Sequence, residues 1–94
     1  MPPTSELAII HQSELFRQPD AARIFRSVLD LTTVKTIVID LTHVRDATTA
    51  AFAHLVLLRR MLLRNGRDLR LKGLRERAAR VYEVNRLMEV LPMR

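Results

Sequence analysis

The sequence predicts a small single-domain α/β fold in which strands of one sheet are packed against helices. Three observations support this: apolar runs alternate with amphipathic helical patterns, the order of elements reads β-α-β-α-β-α, and 94 residues suffice for one hydrophobic core only. Strands that alternate with helices of roughly 10 to 15 residues are joined by right-handed crossovers and lie parallel. We therefore expect one domain over residues 1–94, with residues 1–5 flexible.

The first strand and helix follow from a short apolar run and a helical periodicity. Residues 7–10 are apolar and typical of a strand, and the polar residues 11–14 after them suit the edge of a sheet. From Pro19 onward, apolar residues recur at helical spacing, and proline suits a first helical turn. The recurring residues are Ala21, Ile24, Phe25, Val28 and Leu29, so the pattern predicts an amphipathic helix.

The strongest strand pattern lies in residues 36–41, which are apolar or β-branched on both alternating faces. Such a run is typical of a buried parallel strand, so we expect it at the centre of the sheet. The helix-forming run 50–64 follows it. Its apolar stripe should cover the sheet and consists of Ala51, Leu55, Leu58 and Leu62.

The last third of the chain predicts one more strand and one more helix. Asn65 and Gly66 predict that the long helix ends in a left-handed backbone conformation. In residues 68–72 polar and apolar side chains alternate, as is typical of a strand. A last helix is outlined by Leu74, Ala78, Val81, Tyr82 and Asn85. We expect the tail 87–92 to pack a short extended segment back onto the domain. The pattern leaves open whether the helices cover one face of the sheet or both.

Composition and charge narrow the class of protein. The absence of cysteine excludes disulfides, thiolate metal sites and cysteine nucleophiles, and it agrees with the cytoplasm. Residues 1–6 lack a basic leader region, and the longest apolar runs are far shorter than the roughly 20 residues of a membrane span, so we expect a cytoplasmic protein without membrane insertion. Residues 47–94 hold eleven Lys or Arg against four Asp or Glu. Solvated helix faces explain this excess more simply than an anionic partner does.

Common catalytic and cofactor motifs are missing from the sequence. It has no glycine-rich phosphate loop, no HExxH motif and no Gly-x-Ser-x-Gly elbow, so we expect neither an enzyme nor a cofactor. His11, His43 and His54 lack metal-ligand spacing, so we expect no metal site. A catalytic grouping of His43 and His54 with Asp46 is conceivable, but surface positions are favoured. Asp40 could serve a ligand at the carboxyl edge of the sheet or, as we favour, cap backbone donors of the next turn.

The most informative segment joins the central strand to the long helix. Asp46 is suited to N-cap that helix by accepting from the backbone N–H groups of Thr48 and Thr49. Both hydroxyl residues would lie in the first turn, where the helix dipole favours an anion. A phosphate there would bring about −1.5 to −2 charges beside Asp46 and disturb any docked partner. The segment therefore predicts a binding surface that phosphorylation can switch off.

Three segments of the chain resemble the STAS family, the domain type of the anti-sigma factor antagonists. Residues 37–50 are similar to the family's strand ending in Asp-Leu-Ser and to the turn Asp-Ser-Ser-Gly-Leu that follows. Residues 66–74 look like its next strand and turn, and residues 81–92 resemble its closing segment. Within the turn, Thr49 and Ala50 stand where the pattern has Gly and Leu.

The resemblance implies a mixed, mostly parallel sheet of about four strands with helices packed against it, used for protein docking in bacterial transcription regulation. In the family's antagonists, an anti-sigma factor that is a serine/threonine kinase phosphorylates the hydroxyl residue second after the motif Asp. The dephosphorylated form binds that kinase and frees the sigma factor, which is known as partner switching. By position the phosphoacceptor is Thr48, with Thr49 as second choice. The implied partner-binding residues are Arg45, Asp46, Ala47, Thr48, Thr49 and Ala50.

Two alternatives stay open. A constitutive STAS-type scaffold or transporter-associated subunit would bind its protein partner at the same turn without phosphorylation. In that case Leu57 and Met61, which fall off the core stripe, could form a partner or homodimer surface. A basic nucleic-acid-binding protein would use the arginines and the lysine of residues 59–80. This is the less favoured alternative, because that stretch lacks base-stacking aromatic residues and a recognition-helix motif.

Overall fold

The computed structural model describes residues 7–31 and 34–94. The expected flexibility of residues 1–5 lies outside the described residues. The elements are β1 (Leu7–Phe16), α1 (Gln18–Leu29), β2 (Thr36–Ala47), α2 (Thr49–Arg64), β3 (Asp68–Lys72) and α3 (Glu76–Val84). This order confirms the predicted α/β fold.

The sheet has the order β1-β2-β3, and both pairings are parallel. The predicted central position of β2 is therefore confirmed, and among the strands of the described residues β1 lies at an edge. At the opposite edge the tail returns to β3, where Leu71 and Met93 form a parallel bridge. The N–H of Leu71 donates to the carbonyl of Pro92 (3.1 Å), and the N–H of Arg94 donates to that of Leu71 (2.7 Å). The tail thus supplies a short fourth position to the sheet at Met93, whereas most of the segment 87–92 that was expected to be extended forms turns.

β1 and β2 extend further than the apolar runs from which they were predicted. β1 runs on to Phe16 and β2 to Ala47, because the two strands stay paired over their whole length. The register shifts between His11 and Ser13 and again between Glu14 and Leu15, and Glu14 has a φ of 62°. Apart from these irregularities, pairing with a strand distant in sequence keeps the polar segment in the sheet. Local hydrophobic alternation does not indicate this pairing.

The helices pack in order, α1 on α2 and α2 on α3, and buried residues of all three helices join one core with side chains of the sheet. The predicted stripe of α2 is buried in full, at Ala51, Leu55, Leu58 and Leu62. It faces the buried side chains of the sheet, which include Ile37, Ile39, Leu41, Leu69 and Leu71. α2 ends as predicted, because Gly66 takes a left-handed φ of 72° after the C-cap Asn65.

Candidate functional site

The segment 45–50 lies at the carboxyl end of the central strand, where β2 passes into α2. β2 ends at Ala47 and α2 begins at Thr49, so Thr48 alone stands between them. Ala47 is buried and belongs to the core, whereas Arg45, Thr48, Thr49 and Ala50 are exposed. The carboxyl edge of a parallel sheet is where open α/β folds present their binding residues.

The prediction that Asp46 N-caps the long helix is wrong. Pairing between β1 and β2 continues to Ala47, so Asp46 keeps an extended backbone two residues too early to cap the helix. Its Oδ1 accepts instead from the backbone N–H of Ala47 (2.9 Å), and its Oδ2 lies 3.5 Å from Nη1 of Arg77. Asp46 therefore connects the end of the central strand to α3.

Thr48 is the N-cap of α2. Its backbone is extended (φ −97°, ψ 152°), and its Oγ1 accepts from the backbone N–H of Ala51 at 3.2 Å. Its own N–H donates to the carbonyl of Phe16 (2.9 Å), which anchors the cap to the end of β1. Thr48 as a whole is exposed to solvent, although its hydroxyl is engaged in the cap.

Thr49 begins α2 and lies beside α3. The Nδ2 of Asn85 is 3.4 Å from its Oγ1, a long hydrogen bond from the end of α3. A cleft of about 430 Å³ adjoins this threonine, and its walls include Asp46, Arg77 and Arg80. Two guanidinium groups therefore lie beside the same cleft as the Thr49 hydroxyl.

A second cleft, of about 760 Å³, opens on the other side of Asp46. It is lined by Glu14, Leu15, His43, Arg45, Asp46 and Arg75. Together the two clefts carry four arginines against two carboxylates, so the carboxyl edge of the sheet is positively charged. The contributions of Arg75, Arg77 and Arg80 could not be assigned from the sequence, where they appear only as part of a basic run.

Asp40 accepts a hydrogen bond from a backbone N–H, as favoured from the sequence, but the donor, Thr42, lies within β2 and not in a turn. Its Oδ1 accepts from the N–H of Thr42 (3.0 Å) and from the Thr42 hydroxyl, and its Oδ2 lies 3.1 Å from Nδ1 of His11. The hydrogen bond from the Thr42 hydroxyl, supported by that from its N–H, holds the pKa of the Asp40 carboxyl below its ordinary value. Asp40 is therefore engaged in local structure.

The histidines do not gather into one site. His43 lines the second cleft with Asp46, whereas His54 contacts α1, with its Nδ1 3.3 Å from Nε2 of Gln18 and its ring 5.5 Å from that of Phe25. The conceivable grouping of His43, His54 and Asp46 is thus divided between separate surfaces. Within residues 7–31 and 34–94, no three His, Asp or Glu side chains come together as metal ligands.

Comparisons with known proteins agree with this geometry. A model of the STAS domain family matches residues 7–94. No match is found among curated proteins.

A solved sulfate transporter family protein from Wolinella succinogenes is 19% identical, with a TM-score of 0.76 over 97% of this chain and 75% of that chain. A second structure, Mglu, is 18% identical, with a TM-score of 0.62 over 74% of this chain. The present chain spans 18% of the length of Mglu. At such identities the likeness shows the fold.

The helices of the described part of the chain do not combine the length and apolarity that crossing a bilayer requires. The family model matches residues 7–94. The parallel sheet and the turn at the carboxyl end of its central strand agree with that match. The chain belongs to the STAS domain family.

Proposed function

We propose that this protein is a non-catalytic regulatory module that docks a protein partner at the turn 45–50, in the manner of an anti-sigma factor antagonist. The observation that carries the proposal is the hydroxyl of Thr48, an exposed residue, at the N-cap of α2. A phosphate on this hydroxyl would place a charge change at the centre of the docking surface. Phosphorylation of Thr48 is the switch in this proposal.

The surroundings of Thr48 suit such a switch. A phosphate at a helix N-terminus meets free backbone N–H groups and the positive end of the helix dipole, so it does not destabilise the helix. It would, however, repel the carboxylate of Asp46 and compete with it for Arg77. We expect the modification to change the charge and side-chain arrangement of the turn while the fold persists.

The proposed partner is an anti-sigma factor with serine/threonine kinase activity, or another protein that binds STAS domains. The exposed arginines at the carboxyl edge of the sheet, among them Arg45 and Arg75, favour an acidic face on that partner. A cytoplasmic location belongs to the proposal, and the absence of cysteine agrees with it.

Nucleic-acid binding receives less support, because several of the required cations are engaged internally. Arg59 and Arg70 both donate to Asp68, at 2.8 and 3.0 Å. Arg67 donates to the carbonyls of Leu31 and Val34 at the end of the α1–β2 connection. These arginines stabilise the fold, so they are not free to contact the phosphates of a nucleic acid.

The sharpest test distinguishes the effect of added charge at residue 48 from the effect of losing the N-cap of α2. Asn and Asp both N-cap helices as well as Thr does, so Thr48→Asn removes the hydroxyl without adding charge, and Thr48→Asp adds charge. Extract of the source cell with ATP should phosphorylate wild type and Thr49→Asn, but not Thr48→Asn, as read by mass spectrometry. Phosphate that persists in Thr48→Asn would remove Thr48 as the acceptor.

A second candidate function is a constitutive STAS-type subunit associated with a transporter. It is favoured by the fold shared with the sulfate transporter family protein from Wolinella succinogenes. In that case the turn would bind its partner without phosphate chemistry. The principal partner recovered from the source cell would then be an integral membrane protein, retained equally by wild type and Thr48→Asp.

A further inference from the structure

A groove between α1 and α2 forms a second surface, apart from the turn. Its volume is about 580 Å³, and it is lined by Ala22, Phe25, Arg26, His54, Leu57, Arg60, Met61 and Arg64. The side chains of Leu57 and Met61 are 55% and 40% exposed, although the core stripe of α2 is already complete without them. An exposed apolar pair at helical spacing in a groove is typical of a docking surface.

The walls of this groove are held in place. The Nε2 of Gln18 and the Nδ1 of His54 lie 3.3 Å apart, and the rings of Phe25 and His54 meet edge to face with centroids 5.5 Å apart. These contacts join α1 to α2 at one end of the groove. The groove is therefore formed before any partner arrives, which lowers the ordering cost of binding.

The charges around the groove have one sign. Arg26, Arg60 and Arg64 line it, no lining residue is acidic, and in the described part of the chain none of the three arginines has an ion-pair partner. A second copy of this chain docked symmetrically on the same face would bring arginines against arginines. The rim therefore disfavours a homodimer through this face and favours an acidic occupant.

We propose that the groove binds an acidic amphipathic helix of a partner protein. A channel between two packed helices accepts a third helix, whose apolar residues at i, i+3 or i+4 and i+7 insert between the walls. Leu57 and Met61, four residues apart on α2, offer the matching apolar contacts. Glu or Asp residues flanking the apolar stripe of the partner pair with Arg26, Arg60 and Arg64.

This site is independent of the turn. Met61 lies thirteen residues after Thr48 on the same helix, which corresponds to about 20 Å along the helix axis. The inference thus holds whether or not Thr48 is phosphorylated, and its failure would not affect the proposed function of the turn.

The experiment uses a synthetic helical peptide with leucines at i, i+3 and i+7 flanked by glutamates, titrated into the full ¹⁵N-labelled chain. We expect the largest amide shifts in residues 22–26 and 54–64. Arg60→Glu and Leu57→Asp should each weaken binding at least about tenfold. Matched controls are Arg94→Glu, with the same change in charge, and Leu63→Asp, at a side chain that is 47% exposed outside the groove. Neither should change affinity.

Three outcomes would overturn the proposal. One is a peptide that produces no shifts in α1 and α2. Another is equal binding of a peptide in which lysines replace the glutamates, because recognition would then not depend on the arginines. The third is binding of phosphatidylglycerol vesicles, sensitive to Leu57→Asp, by a chain that does not bind the acidic peptide. Binding of the lysine peptide to a variant with both Arg60→Glu and Arg64→Glu would support the charge complementarity directly.

Discussion

The hydroxyl oxygen of Thr48, a residue exposed to solvent, accepts a hydrogen bond from the backbone N–H of Ala51 at 3.2 Å. One atom therefore closes the N-terminus of α2 and presents the chemical group that a kinase would modify. Any substitution of Thr48 intended to test regulation also changes the cap. The two effects can be separated by the choice of the replacing residue.

Thr48→Ala should lower the free energy of unfolding by about 1 kcal/mol, because Ala supplies no acceptor for the Ala51 N–H. Thr48→Asn and Thr48→Asp should leave it nearly unchanged. Urea denaturation of the three variants checks this, and equal losses in all three would mean that the Thr48 side chain does not cap α2.

Gly73→Ala should destabilise the protein more than Gly66→Ala. Both glycines have a left-handed φ, of 78° and 72°. At Gly73 an added Cβ would lie 2.1 Å from Oγ1 and 3.0 Å from Cα of Thr42, whereas at Gly66 it would meet nothing within 4 Å. We expect a loss of about 1–2 kcal/mol at Gly66 from backbone strain and about 1–3 kcal/mol more at Gly73 from the clash. Equal urea unfolding midpoints for Gly73→Ala and Gly66→Ala would contradict the close approach of Gly73 to Thr42.

The ion cluster at Asp68 should make stability depend on acid pH. Burial alone would raise the pKa of the Asp68 carboxyl, but hydrogen bonds from Arg70, the Leu69 N–H and Arg59 lower it below the ordinary 3.8. A carboxyl with a lowered pKa contributes stability that is complete above the ordinary value and is lost as pH falls through the pKa of the folded state. The stabilising contribution should therefore decline below about pH 4.

Asp68→Asn is the matched variant for this prediction. It should unfold at lower urea concentration than wild type at pH 7, and the difference should shrink between about pH 4 and pH 2 as the wild-type carboxylate is protonated. A difference that stays constant over this range would show that the charge of Asp68 is not the stabilising feature.

Tyr82→Phe should loosen the tail. The Tyr82 hydroxyl donates to the carbonyl of the buried Leu91 at 2.8 Å, and burial raises the pKa of this tyrosine. Loss of the donor should cost about 1–2 kcal/mol, since the carbonyl loses a buried partner. Hydrogen exchange should quicken at Arg94, whose N–H bonds to Leu71 at the edge of the sheet. Unchanged exchange there would mean that Tyr82 does not hold the tail.

The sequence predicts the fold well where local pattern and burial agree. The stripe of α2 and the strand β3 are found where the periodicity places them, because their side chains alone decide which face is buried. The second half of β2 was missed. Residues such as His43 and Val44 are held extended by pairing with β1, a strand far away in sequence, and local hydrophobicity carries no sign of that pairing.

The same long-range pairing explains why the cap was assigned wrongly. Asp46 has the right chemistry for an N-cap, but β2 continues through it to Ala47, so the cap is Thr48. The position of the α3 arginines beside Thr49, including Arg77, could not be predicted from the local sequence either. It depends on how α3 packs against β2. The exposure of Leu57 was predictable, because this residue lies off the core stripe of α2. The wall that α1 supplies to the groove was not predictable from the sequence pattern.

The most direct test of the regulatory role compares the partner bound by three forms of the chain in extract of the source cell: wild type, Thr48→Asn and Thr48→Asp. All three retain the helix cap, and only Thr48→Asp adds a charge at residue 48. Quantitative mass spectrometry of the captured proteins should find one defined partner, with kinase activity, on wild type and Thr48→Asn and its loss from Thr48→Asp. Equal recovery of that partner on Thr48→Asp would contradict a switch at Thr48.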